Sequence, residues 1–132
     1  TGTIPSELGR WTSIEEFGVS QNQLAGSIPS ELGTWTSITN AQFYENSLTG
    51  TIPSELGLWT SIETFGIDLN AISGSLPTDI WRWTMLAVAY FNDNMLSGQL
   101  PSQLGDWTNV RRAYFHSTSL TGTIPLSFAA WS

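Results

Sequence analysis

The sequence of 132 residues predicts a stacked repeat solenoid of five and a half units, and three observations carry that prediction. Trp11, Trp35, Trp59, Trp83, Trp107 and Trp131 follow one another at intervals of 24 residues. The same interval separates Leu24, Leu48, Ile72, Leu96 and Leu120, and again Pro5, Pro29, Pro53, Pro77, Pro101 and Pro125. Self-similarity at one fixed period means that each unit repeats one supersecondary element and buries its apolar face on its neighbours. Of the seven tryptophans, Trp81 lies off the ladder.

Each element of the unit has its own reason. The Trp column reads as a core stack, because large rings at one position of successive turns bury the most apolar area. After it, the alternation around Phe17 and Val19 is that of a half-buried strand. The inward pairs are Phe17/Val19, Ala41/Phe43, Phe65/Ile67, Ala89/Phe91 and Ala113/Phe115. A large first member goes with a medium second, and Ala goes with Phe, so the volume per unit is conserved as a close-packed interior requires. Asn22, Asn46, Asn70 and Asn94 follow the strands, with Thr118 in the fifth place. A buried turn must satisfy its backbone groups, and an amide supplies both donors and an acceptor, so this column is structural.

The unit Trp11-x-x-Ile14-x-x-Phe17-x-Val19-x-x-Asn22-x-Leu24-x-Gly26-x-Ile28-Pro29-x-x-Leu32-Gly33 resembles the leucine-rich repeat, specifically the plant type with its L-x-G-x-I-P segment. About ten positions per unit match, over the whole chain. The departures are Trp at a position usually held by Leu, Phe or Ala at one strand position, and Thr118 for Asn. The resemblance implies an α/β repeat solenoid: a right-handed superhelix with a concave parallel β-sheet, an internal asparagine ladder and a second short sheet on the flank. The convex side would hold turns and short helical pieces. Residues 1–132 form a single domain on this reading. Neither end shows a polar cap, and the last flank (Leu126, Phe128, Ala129, Ala130) is more apolar than the others, so further units are expected to flank it.

Composition excludes several classes. Four Arg and no Lys against 11 acidic residues give a formal net charge of −7, which argues against nucleic acid and anionic membrane surfaces as partners. The 40% apolar share, with seven Trp and six Phe, argues against disorder. With no Cys there is no disulfide framework, thiol nucleophile or Cys-based metal site. The longest apolar run, Met85–Phe91, falls far short of the ~20 residues of a membrane span, so this chain is not expected to insert directly.

Chemistry-bearing constellations are likewise missing. His116 is the sole histidine, and Asp68, which shares its column, lies two strands or roughly 10 Å away. That is beyond reach of a base–orienter hydrogen bond, so no enzyme is expected. One His without Cys does not make a transition-metal site, and Asp68, Asn92 and Asp93 lack a calcium-loop signature, so neither metal nor cofactor is expected.

With so regular a scaffold, function belongs to the positions the scaffold leaves free. Three outward strand columns qualify: Glu16, Asn40, Thr64, Val88, Arg112; then Gly18, Gln42, Gly66, Tyr90, Tyr114; then Ser20, Tyr44, Asp68, Asn92, His116. Side chains two apart on a strand share a face, so the columns make one continuous surface. All three Tyr and the only His fall there. The ligand-binding candidates are Glu16, Gln42, Tyr44, Asp68, Tyr90, Asn92, Arg112, Tyr114 and His116, with Tyr90 and Tyr114 as cross-strand neighbours and Gly18 and Gly66 leaving shallow gaps. Charge is graded: residues 1–66 carry seven acids and one Arg, residues 67–132 four acids and three Arg. A partner of opposite polarity would be oriented by that gradient.

The resemblance implies a non-catalytic recognition module of an extracellular receptor-like or adhesion protein at the cell surface, taking a protein, peptide or glycan ligand. Two alternatives have other bases: a structural spacer, or an array that self-associates end to end through its uncapped ends. Some plant-type relatives inhibit secreted polysaccharide-degrading enzymes. The Thr12, Thr36, Thr60, Thr84, Thr108 column also raises ice binding, although Ala25 and Gln99 break the flanking rows, and ordinary members use such hydroxyls to satisfy the backbone.

Overall fold

The computed structural model describes residues 1–131. Each 24-residue unit makes one coil, and the coils stack. Three-residue strands Glu16–Gly18, Asn40–Gln42, Thr64–Gly66, Val88–Tyr90 and Arg112–Tyr114 form a five-stranded parallel sheet in chain order. The register is one period throughout, pairing Gln42 with Gly66, Gly66 with Tyr90 and Tyr90 with Tyr114. The opposite side is a row of short 3₁₀ turns, each preceded by the recurrent Pro, whose fixed φ suits a helix entry.

The flank sheet is present but divided. Gly2–Thr3, Leu24–Gly26 and Ser47–Leu48 form one three-stranded ribbon; Ser73–Gly74, Met95–Gln99 and Ser119–Thr121 form another. Backbone bonds from Ala71 N–H to the Leu48 carbonyl (2.8 Å) and from Ser73 N–H to the Gly50 carbonyl (2.7 Å) tie the two together.

The core lies between sheet and turns. Trp35, Trp59, Trp83 and Trp107 are fully buried and stack at centroid separations of 5.8, 6.3 and 6.2 Å, their planes within 13° of parallel. The indole N–H explains Trp where Leu is usual. Each donates to the carbonyl three residues before the preceding Trp: Trp35 to Leu8, Trp59 to Leu32, Trp83 to Leu56, Trp107 to Ile80 and Trp131 to Leu104, at 2.7–3.0 Å. One side chain therefore fills the core and gives a second donor to a turn carbonyl that already accepts from the backbone N–H of the preceding Trp. Trp11 departs from the expected core stack: among the described residues only the part-coil of residues 1–10 precedes it, and it is 53% exposed.

The asparagines bind coils to each other. Asn70 accepts from Leu48 N–H (2.9 Å) and donates to the Phe43 carbonyl (3.1 Å) of the preceding coil and the Ile67 carbonyl (3.0 Å) of its own. Asn46 and Asn94 repeat the arrangement, while Asn22 bonds within its own coil, to Val19 and Ser20 carbonyls. Thr118 keeps only the bond to its own coil, Oγ1 to the Phe115 carbonyl at 2.7 Å. Its single hydroxyl is too short to span two coils.

The residue before each ladder position turns the chain out of the strand in the left-handed region: Gln21, Glu45, Leu69, Asp93 and Ser117, at φ of 52–59°. On the convex side, a Cβ at Gly57 would lie 2.6 Å from the Asp79 carbonyl oxygen, so coil-to-coil spacing there requires glycine. Trp81 holds the equivalent place in the next coil and is turned outward, 38% exposed, with the Arg82 guanidinium 5.7 Å from its ring.

Candidate functional site

The sheet's outward columns stand over a layer that cannot yield. Beneath them Ala41, Phe43, Phe65, Ile67, Ala89 and Phe91 are fully buried, and Phe65 packs on Trp83 at 4.9 Å. Side chains above such a floor are held by packing.

Tyr90 and Tyr114 meet across adjacent strands, with centroids 5.2 Å apart and planes 4° from parallel. His116 stands edge-on to Tyr114 at 6.3 Å. Tyr114, Arg112 and His116 are exposed, Tyr44 and Tyr90 half-buried, and Glu16 sits exposed at the far end of the sheet. These residues share one face over five strands, but only Tyr90, Tyr114 and His116 touch.

Four expectations change. Asn92 does not stand open on the surface: it is 8% exposed, its Nδ2 donating to Asp93 Oδ2 at 2.7 Å. Gly66 is not an open gap, because the Gln42 side chain leans over it, placing Oε1 where a Cβ would go; at Gly18 the space is free. His116 has a carboxylate neighbour after all: Nδ1 lies 3.9 Å from Asp93 Oδ2, because the left-handed turn at Asp93 swings its side chain to the sheet's edge. The Thr12, Thr36, Thr60, Thr84 and Thr108 hydroxyls are exposed and bond no backbone group among the described residues, whereas Ser73 and Thr121 on the flank do.

Charge on this face is unevenly matched. Asn92, the Ser117 hydroxyl and the His116 imidazole hold the Asp93 carboxyl below its ordinary value, against the opposing effect of desolvation. Asp68 has no cationic partner among the described residues. Burial raises its carboxyl above the ordinary value; a backbone hydrogen bond opposes this, and the Asp93 and Glu45 carboxylates add to it. Asn92 Oδ1 is buried without a hydrogen-bond partner. Among the described residues no three His, Asp or Glu side chains converge as a metal cage would need. Asp93, and with it the turn column before the asparagines, was missed by counting strand positions alone; its left-handed backbone is the signal that extends the face by one residue per coil.

No family model and no curated protein sequence matches the chain. Solved structures do. The plant peptide hormone receptor RGFR1, in complex with RGF2, superposes with a TM-score of 0.97 at 31% identity over 98% of this chain and 21% of its own. The leucine-rich-repeat ectodomain of the membrane receptor kinase GASSHO1/SCHENGEN3 from Arabidopsis thaliana, in complex with CASPARIAN STRIP INTEGRITY FACTOR 2, gives 0.97 at 27% identity over 98% and 16%. The chain thus spans about a fifth of the length of these receptors. A plant ice-binding protein gives 0.91 at 24% identity over 98% and 42%, a likeness of fold alone.

Proposed function

Because the chain is a leucine-rich-repeat solenoid of the plant type, we propose that it is a non-catalytic recognition module whose concave face binds a peptide or an extended protein segment. It belongs, on this reading, to the outer part of a cell-surface receptor-like protein. The observation that carries the reading is the Tyr90–Tyr114 stack, two parallel rings 5.2 Å apart on a sheet backed by a fully buried aromatic layer. Tyr supplies large contact area at small entropic cost, and rings fixed beforehand lose little freedom when a ligand arrives. Similar receptors have been solved with RGF2 and with CASPARIAN STRIP INTEGRITY FACTOR 2, which supports reading the chain as a ligand-binding module.

The test is a displayed peptide library selected on the chain, with affinities measured by calorimetry. Tyr90→Ala combined with Tyr114→Ala is expected to weaken selected peptides at least a hundredfold, as loss of two central aromatic contacts of about 2 kcal/mol each implies. The circular dichroism spectrum should not change, since both rings lie outside the core. Unchanged affinity, or selection of glycans in place of peptides on an array, would refute this assignment.

A further inference from the structure

Between the tyrosine stack and the acidic end of the concave sheet lies a notch built around a missing side chain. Gly66 is paired in register with Tyr90 on one side and Gln42 on the other. Tyr114 covers one face of the Tyr90 ring, stacked at 4°. The other face therefore looks toward Gly66, which has no side chain of its own and over which the end of Gln42 leans. Gln42 Oε1 occupies the place of a Gly66 Cβ, and Asp68 Oδ1 lies 3.6 Å from that same point. Two acceptor oxygens thus meet over one glycine, beside an aromatic face.

A third acceptor adjoins them. Asn92 follows Asp68 in the same column on the next strand, one spacing of ~4.8 Å away. Its amide orientation is fixed: an ionised carboxylate only accepts, so Nδ2 must face Asp93 Oδ2, and Oδ1 is the atom left buried without a donor. Gln42 is turned the same way, its Nε2 donating to Asn40 Oδ1 at 2.9 Å, which leaves Oε1 toward the notch. Leaving the buried Asn92 Oδ1 unpaired is costly, and it lacks only a donor. The chain's own arginines are elsewhere: Arg10 and Arg82 in the convex turns, Arg111 and Arg112 on the last strand or just before it.

We infer that this notch, formed by Gly66, Gln42, Asp68, Tyr90 and Asn92, receives the guanidinium of an arginine side chain in the ligand. A guanidinium is planar, stacks on an aromatic face, and carries five donors in a fixed fork that can reach acceptors on neighbouring strands. A metal ion would need its ligands gathered at one point, and here they are spread over three strands. The inference rests on the recognition reading above and names the chemistry of one ligand residue.

The experiment is an NMR titration of the ¹⁵N-labelled protein with acetyl-arginine methylamide, and with its citrulline counterpart, which keeps the shape and loses the charge. The arginine probe is expected to shift the Gln42 and Asn92 side-chain amides and the Gly66 amide saturably, the citrulline probe at least tenfold more weakly. Asp68→Asn removes the charge, and Gly66→Ala fills the notch at an ordinary backbone conformation; each should weaken the arginine probe at least tenfold. Equal response to the two probes, or undiminished response in both variants, would overturn the inference. Library peptides that require Tyr90 and Tyr114 yet bind Asp68→Asn as well as the parent would overturn the notch alone. Peptides that ignore the tyrosine pair would overturn the recognition reading instead.

Discussion

Asp68 is held at a position where folding works against its charge, and that has a measurable signature. Burial, the largest influence, raises its carboxyl, so the native chain binds the Asp68 proton more tightly than the unfolded chain does. For an acid shifted in this direction, stability is reduced at pH above the raised value and recovers as the pH falls through it. Asp68→Asn should therefore raise the melting temperature at pH 7, with the gain shrinking to nothing on acidification toward the ordinary carboxylate value. Thermal unfolding monitored by circular dichroism between pH 4 and 8 checks this. A lower melting temperature at pH 7 would mean that Asp68 makes a compensating contact. Asp93 has the opposite sign, its lowered carboxyl favouring the fold above the unfolded value and losing that contribution only in stronger acid. The carboxylate that stabilises is partnered by Asn92 and His116, and the one that destabilises faces the notch.

At the scale of the element, the turn and the ring above it form one device. Trp59 stacks between Trp35 and Trp83 while its indole N–H pairs the Leu32 carbonyl at 2.7 Å. Trp59→Phe keeps a ring in the stack but removes one of the two hydrogen bonds to that carbonyl, which the Trp35 N–H still reaches, and leaves a void, so it should cost about 1–3 kcal/mol in urea denaturation. Trp131→Phe removes the same kind of bond at a partly exposed site, and should cost less than half as much. Equal losses would show that the hydrogen bond, not burial, sets the cost. The Trp period, the inward strand pairs and the asparagine column were legible in the sequence because each is a repeated demand of buried area or backbone pairing. The division of the flank sheet was not, since it depends on the backbone geometry between the adjacent segments Ser47–Leu48 and Ser73–Gly74. Nor was the cover over Gly66. A glycine reads as a gap, and only the reach of the long Gln42 side chain from the neighbouring coil shows it is lined. His116 was taken as having no carboxylate because strand alternation says nothing of Asp93, which leaves the strand in a left-handed turn.

At the scale of the whole molecule, each coil touches only its neighbours, which makes the period itself a mechanical unit. Every strand of the five-stranded sheet pairs with the residue 24 positions on, every indole in the stack reaches the coil before it, and the Asn46, Asn70 and Asn94 amides bridge backwards in the same way. Removing residues 12–35 would join Trp11 to Thr36, an equivalent junction, and offer the Leu8 carbonyl to Trp59 in place of that of Leu32. This variant should fold into a shorter solenoid with a lower melting temperature, because one nearest-neighbour interface is lost. It retains Gln42, Gly66, Asp68, Tyr90, Asn92 and Tyr114, so it should bind the library peptides within a few-fold of the parent. Removing only residues 12–23 joins Trp11 to Leu24 half a period out of step, so the first coil can neither pair its strand nor satisfy its carbonyls. That half-period deletion should lose cooperative unfolding of the N-terminal coil, seen as early hydrogen exchange there. If the full-period deletion unfolded as readily as the half-period one, coupling would extend beyond neighbouring coils, and the concave face would have to be treated as one indivisible surface.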